Sequence, residues 1–272
     1  MSIKHLLGAT AAAAVAIAAA AAPAPAWAPA GTATIHPGIQ THTEGSGQCT
    51  ANFVFTGGGD TYIGQSAHCA STGAATDTDG CVAASLPLGT KVDIGGSQPG
   101  TLAYSSWLTM QASGESDPDT CAYNDFALVR VDPADVGRVN PSIPFWGGPV
   151  GLNTTGTSVG AKVLSYGNSS LRQGITLLSP KEGLSIGTTG GGWSHSVYTV
   201  TPGVPGDSGS AFLDRQGRAL GTLSTLALAP LPASNGVGDL ARELAYANRV
   251  GGMGVALAQG TEPFRGPLLP LP

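Results

Sequence analysis

Pro205-Gly206-Asp207-Ser208-Gly209-Ser210 is the stretch around which the chain is organised, and Ser210-Ala211-Phe212-Leu213, overlapping its end, reads as a strand. A serine hydroxyl is a weak nucleophile at neutral pH. It becomes reactive when a base takes its proton and fixed donors hold the oxyanion that forms. Gly206 and Gly209, flanking Ser208, let the backbone turn sharply and aim consecutive amides at one point. A turn of small residues would look the same in a chain with 41 glycines, so the rest of the sequence has to supply a histidine and a carboxylate.

The composition limits what those residues can belong to. Residues 1–28 read as a secretory signal peptide: Lys4 and His5, an alanine-rich apolar run from Leu6 to about Ala22, and the cleavage pattern Ala26-Trp27-Ala28. No later stretch is long and apolar enough to span a bilayer. Removing Lys4 moves the net charge from -5 to about -6, and mild acidity with no basic block argues against a nucleic-acid partner. The 41 glycines and 20 prolines, with short β-branched runs between them, indicate an all-β chain rather than a disordered one. Cys49, Cys69, Cys81 and Cys121 all lie in the first half. In an exported chain four cysteines suggest two disulfides, with three connectivities open. Neither a CxxC nor a His-x-x-x-His pattern is present, so no metal site and no cofactor are expected.

Taken in order, residues 29–43 read as a Pro/Gly/Thr-rich tail with His36 and His42 solvated. Residues 44–135 form a first β unit and 136–150 a proline-rich linker. Residues 151–262 form a second β unit, and 263–272 a tail. In the first unit, Thr50–Phe55 and Thr61–Gly64 make a hairpin about Gly57-Gly58-Gly59-Asp60. Lys91–Ile94 and Thr101–Met110 are further strands, Ser113–Thr120 is a surface loop with solvated acids, and Cys121–Val131 runs from loop into strand. In the second unit the strands are Ser158–Tyr166, Leu171–Leu178, Leu184–Gly187, Ser196–Thr201 and Arg218–Leu228. A helix over 239–249 follows, capped by Asp239, and then a short strand at Met253–Ala258. His68 follows the Thr61–Gly64 strand and sits beside Cys69, where a crosslink would fix the backbone carrying the ring. Asp125 stands where the chain enters the core at Phe126, and a carboxylate there is costly unless paired. His195, beside Gly190-Gly191-Gly192-Trp193, reads as a loop residue.

Three stretches fall in one order: Ser66-Ala67-His68-Cys69, Asn124-Asp125-Phe126-Ala127-Leu128-Val129 and Gly206-Asp207-Ser208-Gly209-Ser210. Over about Cys49 to Leu226 the chain resembles the chymotrypsin-like (trypsin-fold) serine proteases, most closely their secreted bacterial members. The resemblance implies two antiparallel six-stranded β-barrels with the active site between them and a short C-terminal helix. It implies His68 as general base, Asp125 as its orienting carboxylate and Ser208 as nucleophile, with the amides of Gly206 and Ser208 as oxyanion hole. It further implies disulfides Cys49–Cys69 and Cys81–Cys121, and a substrate-pairing strand at Ser224, Thr225 and Leu226. A monomer acting on protein or peptide substrates is expected, with no membrane contact after signal cleavage.

The departures are specific. No Arg-Ile-Val-Gly-Gly-type activation site precedes the first strand, so an internal cation, Lys162 or Arg172, is expected to meet Asp207. The second half has no disulfide to brace the pocket beside Ser208. Val200–Val204 offers no carboxylate for a basic substrate side chain, and no histidine precedes Ser224. An uncharged substrate side chain is therefore expected. Two other readings fit parts of the pattern. A weak or inactive scaffold on the same fold would ordinarily lack a triad residue, and none is missing. An α/β-hydrolase esterase needs Gly-x-Ser-x-Gly between strand and helix, and its histidine last. Here Ser208 is followed by a strand and the histidine comes first.

Overall fold

The computed structural model describes residues 26–227 and 232–268, with the side chain of Ala227 not described; the expected leader falls almost wholly outside this range. Its last three residues fall inside: Ala26 is exposed, Trp27 packs against the first-half core, and Ala28 donates its N–H to Val139 O at 2.9 Å. No helix among the described residues is long and apolar enough to cross a membrane.

The first half is built on strands β1 (Gln40–Thr43), β2 (Gln48–Thr50), β3 (Val54–Gly57), β4 (Asp60–Gln65), β5 (Lys91–Asp93), β6 (Gly100–Ser105) and β7 (Ala127–Arg130). Helices α1 (Ser106–Ser113) and α2 (Pro118–Tyr123) lie between β6 and β7. The second half contains β8 (Lys162–Tyr166), β9 (Pro180–Thr189), β10 (Ser194–Thr199), β11 (Ala211–Asp214), β12 (Ala219–Ala227) and β13 (Ser234–Asp239), then α3 (Leu240–Arg249) and β14 (Ala256–Leu257). All the ladders named are antiparallel. The second-half strands close as β10-β13-β12-β11-β8-β9, the six-stranded barrel expected.

The first half departs from the expected six-stranded barrel. Its ladder is an eight-stranded sheet, β14-β3-β4-β7-β6-β5-β1-β2, whose two ends are not hydrogen-bonded to each other as strands. The chain itself bridges the gap, running from β2 at one end into β3, next to the other. The run expected as one strand over Thr50–Phe55 bends between β2 and β3, where Asn52 Oδ1 accepts the Phe53 N–H at 2.6 Å. Gly64 of β4 accommodates that side chain, since a Cβ on Gly64 would overlap Asn52 Oδ1. β14, from beyond α3, supplies the edge strand on β3.

Local chemistry accounts for the other differences. The strand expected over Thr101–Met110 ends at Ser105, because Trp107 and Met110 are both buried at helical spacing on α1, and Gly114 closes that helix at φ +67°. The loop expected over Ser113–Thr120 gives rise to α2, with Pro118 at its first position and Asp117 Oδ1 accepting the Thr120 N–H at 2.8 Å. Leu171–Leu178 forms two 3₁₀ turns instead of a strand, and its apolar side chains stay out: Leu177 is 89% exposed. The segment expected as an N-terminal tail contains β1 and the fully buried Ile35. β13 was not anticipated; Gly236 and Gly238 mask its pattern. α3 matches the expected helix, with Asp239 Oδ1 capping through the Arg242 N–H at 3.0 Å.

The two halves share one apolar core. Phe53, Phe55, Tyr104, Phe126 and Leu128 from the first pack with Leu164, Ala211, Leu213 and Ala219 from the second, under Leu240, Leu244 and Ala247 of α3. Ile143 and Trp146, from the expected linker, lie in the same core, and Trp146 Nε1 donates to Ser165 O at 2.7 Å. Each large apolar side chain buried there contributes about 1.5–3 kcal/mol. Trp146→Ala is expected to cost about 3–5 kcal/mol. Trp146→Phe, which keeps a ring and loses one hydrogen bond, is expected to cost about 1 kcal/mol. Urea denaturation of both variants measures the difference.

Candidate active site

Ala67–Ala70, a 3₁₀ turn at the end of β4, carries His68. Cys69 beside it is bridged to Cys49 of β2, so the turn is tied to a second strand. Cys81 is bridged to Cys121 of α2, which anchors the approach to Asp125. Asp125 lies between α2 and β7 and is buried. Its Oδ1 accepts the His68 backbone N–H at 2.8 Å, and its Oδ2 meets His68 Nδ1 at 2.6 Å. A carboxylate can only accept, so Nδ1 carries the proton and Nε2 is left as the basic nitrogen.

Ser224 approaches the same carboxylate from the second half, its Oγ donating to Asp125 Oδ2 at 2.6 Å. It can do so because the β12–β13 register shifts between Leu223 and Thr225, leaving Ser224 as the extra residue of a bulge. Burial alone would raise the Asp125 carboxyl; the charge and hydrogen bonds of His68 and the Ser224 hydroxyl outweigh it and hold Asp125 below the usual range. His68 feels the reverse balance. Burial lowers it, and the Asp125 charge and hydrogen bond outweigh that, so its net shift is upward. The imidazole keeps 27% of its side-chain surface exposed, against 6% for Asp125.

The loop bearing Ser208 is held by the first half. Thr50 donates its N–H to Ser208 O at 2.8 Å and its hydroxyl to Gly206 O at 2.8 Å, and Gln48 Nε2 reaches Gly206 O at 2.9 Å. Gly206 and Gly209 sit at φ +94° and +87°, where a Cβ is strained; on Gly209 it would also press on Thr50 O. Among the described residues the N–H groups of Gly206 and Ser208 have no protein acceptor, while those of Asp207, Gly209 and Ser210 are bonded within the loop or to Leu223. His68 and Ser208 line one cleft of about 570 Å³, together with Gly203, Leu223, Ser224, Thr225, Leu226 and Asn235. Among the described residues no hydrogen bond joins the Ser208 hydroxyl to the imidazole.

Asp207 points away from the cleft into the protein and meets two cations. Arg172 Nη2 lies at 2.5 Å and Lys181 Nζ at 3.0 Å from its Oδ2, with Lys181 fully buried. Burial would raise Asp207; Arg172, Lys181 and the Val204 amide reverse that and hold it low. Arg172 is one of the two cations expected there, and the ion pairs of Asp207 among the described residues are with Arg172 and Lys181. Lys181 was missed, since a lysine at the start of a strand, between Pro180 and Glu182, carries no sign of burial. Gln48, Thr50 and Asn235 were missed too, because their roles rest on contacts across more than thirty residues of sequence.

His195, expected in a loop, lies buried in β10 and away from this cleft. Its Nε2 is 3.0 Å from Asp239 Oδ2, and its Nδ1 is 3.0 Å from the Thr188 hydroxyl. Among the described residues two groups have potential metal donors close together, Cys49/His68/Cys69 and Asp79/Cys81/Cys121. All four sulfurs are consumed in disulfides, which leaves each group with one ligand-competent side chain.

No protein-family model matches the sequence, and no curated protein matches it. Solved structures do match in fold. Thermobifida fusca protease A is 18% identical, with a TM-score of 0.52 over 83% of this chain and 99% of that one. A glutamic-acid-specific serine protease described as using a histidine triad in substrate binding is 18% identical, with a TM-score of 0.52 over 82% and 100%. Cellulomonas bogoriensis chymotrypsin is 18% identical, with a TM-score of 0.50 over 82% and 98%. The likeness lies in the fold, and the chain has the fold of the bacterial chymotrypsin-like serine proteases.

Proposed function

We propose that the chain is an exported serine endopeptidase that hydrolyses peptide bonds through an acyl-enzyme on Ser208. The observation that carries this reading is the Asp125 carboxylate, fastened to the His68 ring on one side and to Ser224 on the other, behind a cleft that His68 and Ser208 share. In this reading Ser208 Oγ attacks the scissile carbonyl and passes its proton to His68 Nε2. The amides of Gly206 and Ser208 hold the oxyanion. The imidazolium, stabilised by Asp125, then protonates the departing amine. Water attacks the acyl-enzyme with His68 again as base, releasing the acid and restoring Ser208. Catalytic hydrogen bonds are commonly long until substrate is bound, so the unmade Ser208–His68 bond is compatible with this sequence of steps.

Specificity follows from the end of the cleft beyond Ser208. Gly203, Val204, Leu223, Thr225 and Leu226 line it, and Asn235 closes it with its amide, Oδ1 accepting the Gly203 N–H at 2.8 Å. Among the described residues these carry no charged side chain, and the carboxylate that lines the cleft, Asp77, comes from the first half beside Ala75 and Thr78; the wall from the second half supports an uncharged substrate residue. Two disulfides and the fold shared with bacterial proteases support export.

Four outcomes test the reading. Fluorophosphonate labelling should be lost in Ser208→Ala and in His68→Ala; labelling that persists in Ser208→Ala rejects the nucleophile. Activity needs neutral His68, whose pKa lies above its ordinary value, so kcat/KM should fall on acidification with a midpoint above about 6.5. Asp125→Asn should bring that midpoint down, because burial then acts without its opposing charge, and should lower kcat by about 10⁴-fold. Arg172→Met leaves the buried Asp207 charge with Lys181 alone. It should cost up to about 3–5 kcal/mol in stability and lower kcat through the Ser208 loop; thermal unfolding and kinetics measure both.

A further inference from the structure

Helix α3 carries a further carboxyl group into the molecule, directly behind the His68–Asp125 pair. Glu243 stands in the first turn of α3, where a glutamate ordinarily faces solvent and complements the helix N-terminus. Here it is 0% exposed, and among the described residues neither Oε1 nor Oε2 has a hydrogen-bond partner. β13 makes room for it: a Cβ on Gly238 would overlap Glu243 Oε1. Asp125 faces it from the entrance to β7, Asp239 from the end of β13, and Tyr104, itself close to Tyr246, from β6. The Asp125 amide and the Thr222 hydroxyl of β12 are near without reaching hydrogen-bond geometry.

Three carboxyl groups thus share one poorly solvated region, and they differ in the hydrogen-bond donors that each receives. Asp125 accepts from the His68 amide, the His68 ring and Ser224. Asp239 accepts the Arg242 amide at 3.0 Å and faces His195 Nε2 at 3.0 Å. Glu243 receives no donor in bonding geometry. A buried carboxylate without donors, beside two other negative charges, keeps its proton. Burial first, and then the Asp125 and Asp239 charges, hold the Glu243 carboxyl well above the ordinary range.

We propose that Glu243 is a positioning residue for the Asp125–His68 pair: a neutral carboxylic acid that fills the space behind Asp125 and, by staying uncharged, leaves the Asp125 charge committed to the imidazole. Its consequence for activity rests on the proteolytic reading above. Loss of the Glu243 proton at alkaline pH puts a second negative charge behind Asp125, repels it and loosens its hold on His68. Glu243 therefore sets an alkaline limit distinct from the acid limit set by His68. The same proton has a stability consequence. A carboxyl whose folded-state pKa is raised gives most stability below its unfolded value and loses it as pH rises toward the folded one. Glu243→Gln removes that loss.

The test combines infrared spectroscopy, His68 titration by NMR and pH–rate profiles on the full chain and on Glu243→Gln. At neutral pH the wild-type protein should show the carbonyl absorption of a protonated carboxyl group, absent from Glu243→Gln. The His68 pKa should differ between the two by less than about 0.3, because one neutral group replaces another. Glu243→Gln should keep kcat/KM within about threefold at neutral pH and lose the alkaline limb. The absence of the absorption overturns the proposal, as does a clear fall in the His68 pKa in Glu243→Gln, which would mean that an ionised Glu243 had been raising it. An unchanged alkaline limb overturns the functional part. Should Glu243→Gln fail to fold, the wild-type absorption and its disappearance on alkaline titration still decide the question. The infrared and NMR readouts need no turnover, so failure of this proposal is distinguishable from failure of the proteolytic reading.

Discussion

A buried negative charge at Asp125 is the constraint on which the rest of the candidate site depends. Taking a carboxylate out of water costs several kcal/mol, and that cost has to be met by donors in good geometry. Asp125 meets it with the His68 amide, the His68 ring and the Ser224 hydroxyl. Two of these donors come from the first half and one from a bulge in the second, so the charge is satisfied only when the halves are docked. The apolar core that runs through both halves, from Phe53 and Phe126 to Leu213 and Leu244, holds that docking. The Cys49–Cys69 bridge holds the turn that presents His68. The ring is thereby given one tautomer, with its basic nitrogen free.

The same electrostatic logic recurs with other outcomes. Asp207, next to the nucleophile candidate, is buried and charged because Arg172 and Lys181 converge on it. Both cations come from inside the second half, so that charge is met without help from the first. Asp239 is held by its own helix and faces His195. Glu243, equally buried, has no donor in place, so neutrality is the cheaper state. Charge in this interior is distributed by where N–H and O–H groups point rather than by residue type.

Several features were legible in advance because they are local. The Gly-rich turn around Ser208, the histidine beside a cysteine, the aspartate at a strand entrance and the Asp239 cap of α3 each declare themselves within a few residues. The hairpin at Gly57–Asp60 and most of the barrel strands do so through alternation and turn residues. What was misread fails for physical reasons. Trp107 and Met110 sit in a segment that reads as a strand yet share one helical face. Leu171–Leu178 is apolar without being buried, so hydrophobicity alone suggested a strand that does not form. β13 is thinned by glycines that make way for Thr225 and Glu243, partners more than four residues away along the chain.

By itself, then, the sequence determined the fold class, the order of the histidine, aspartate and serine, and the chemistry those side chains can perform, since residue types and short-range spacing carry that information. Only the tertiary structure decided which charges are satisfied: Lys181 beside Arg172 at Asp207, Ser224 on Asp125, Gln48 and Thr50 on the Ser208 loop, and Glu243 left without a donor. The reason is that the energy of a buried polar group depends on what packs within a few ångströms of it, and those neighbours arrive from distant parts of the chain.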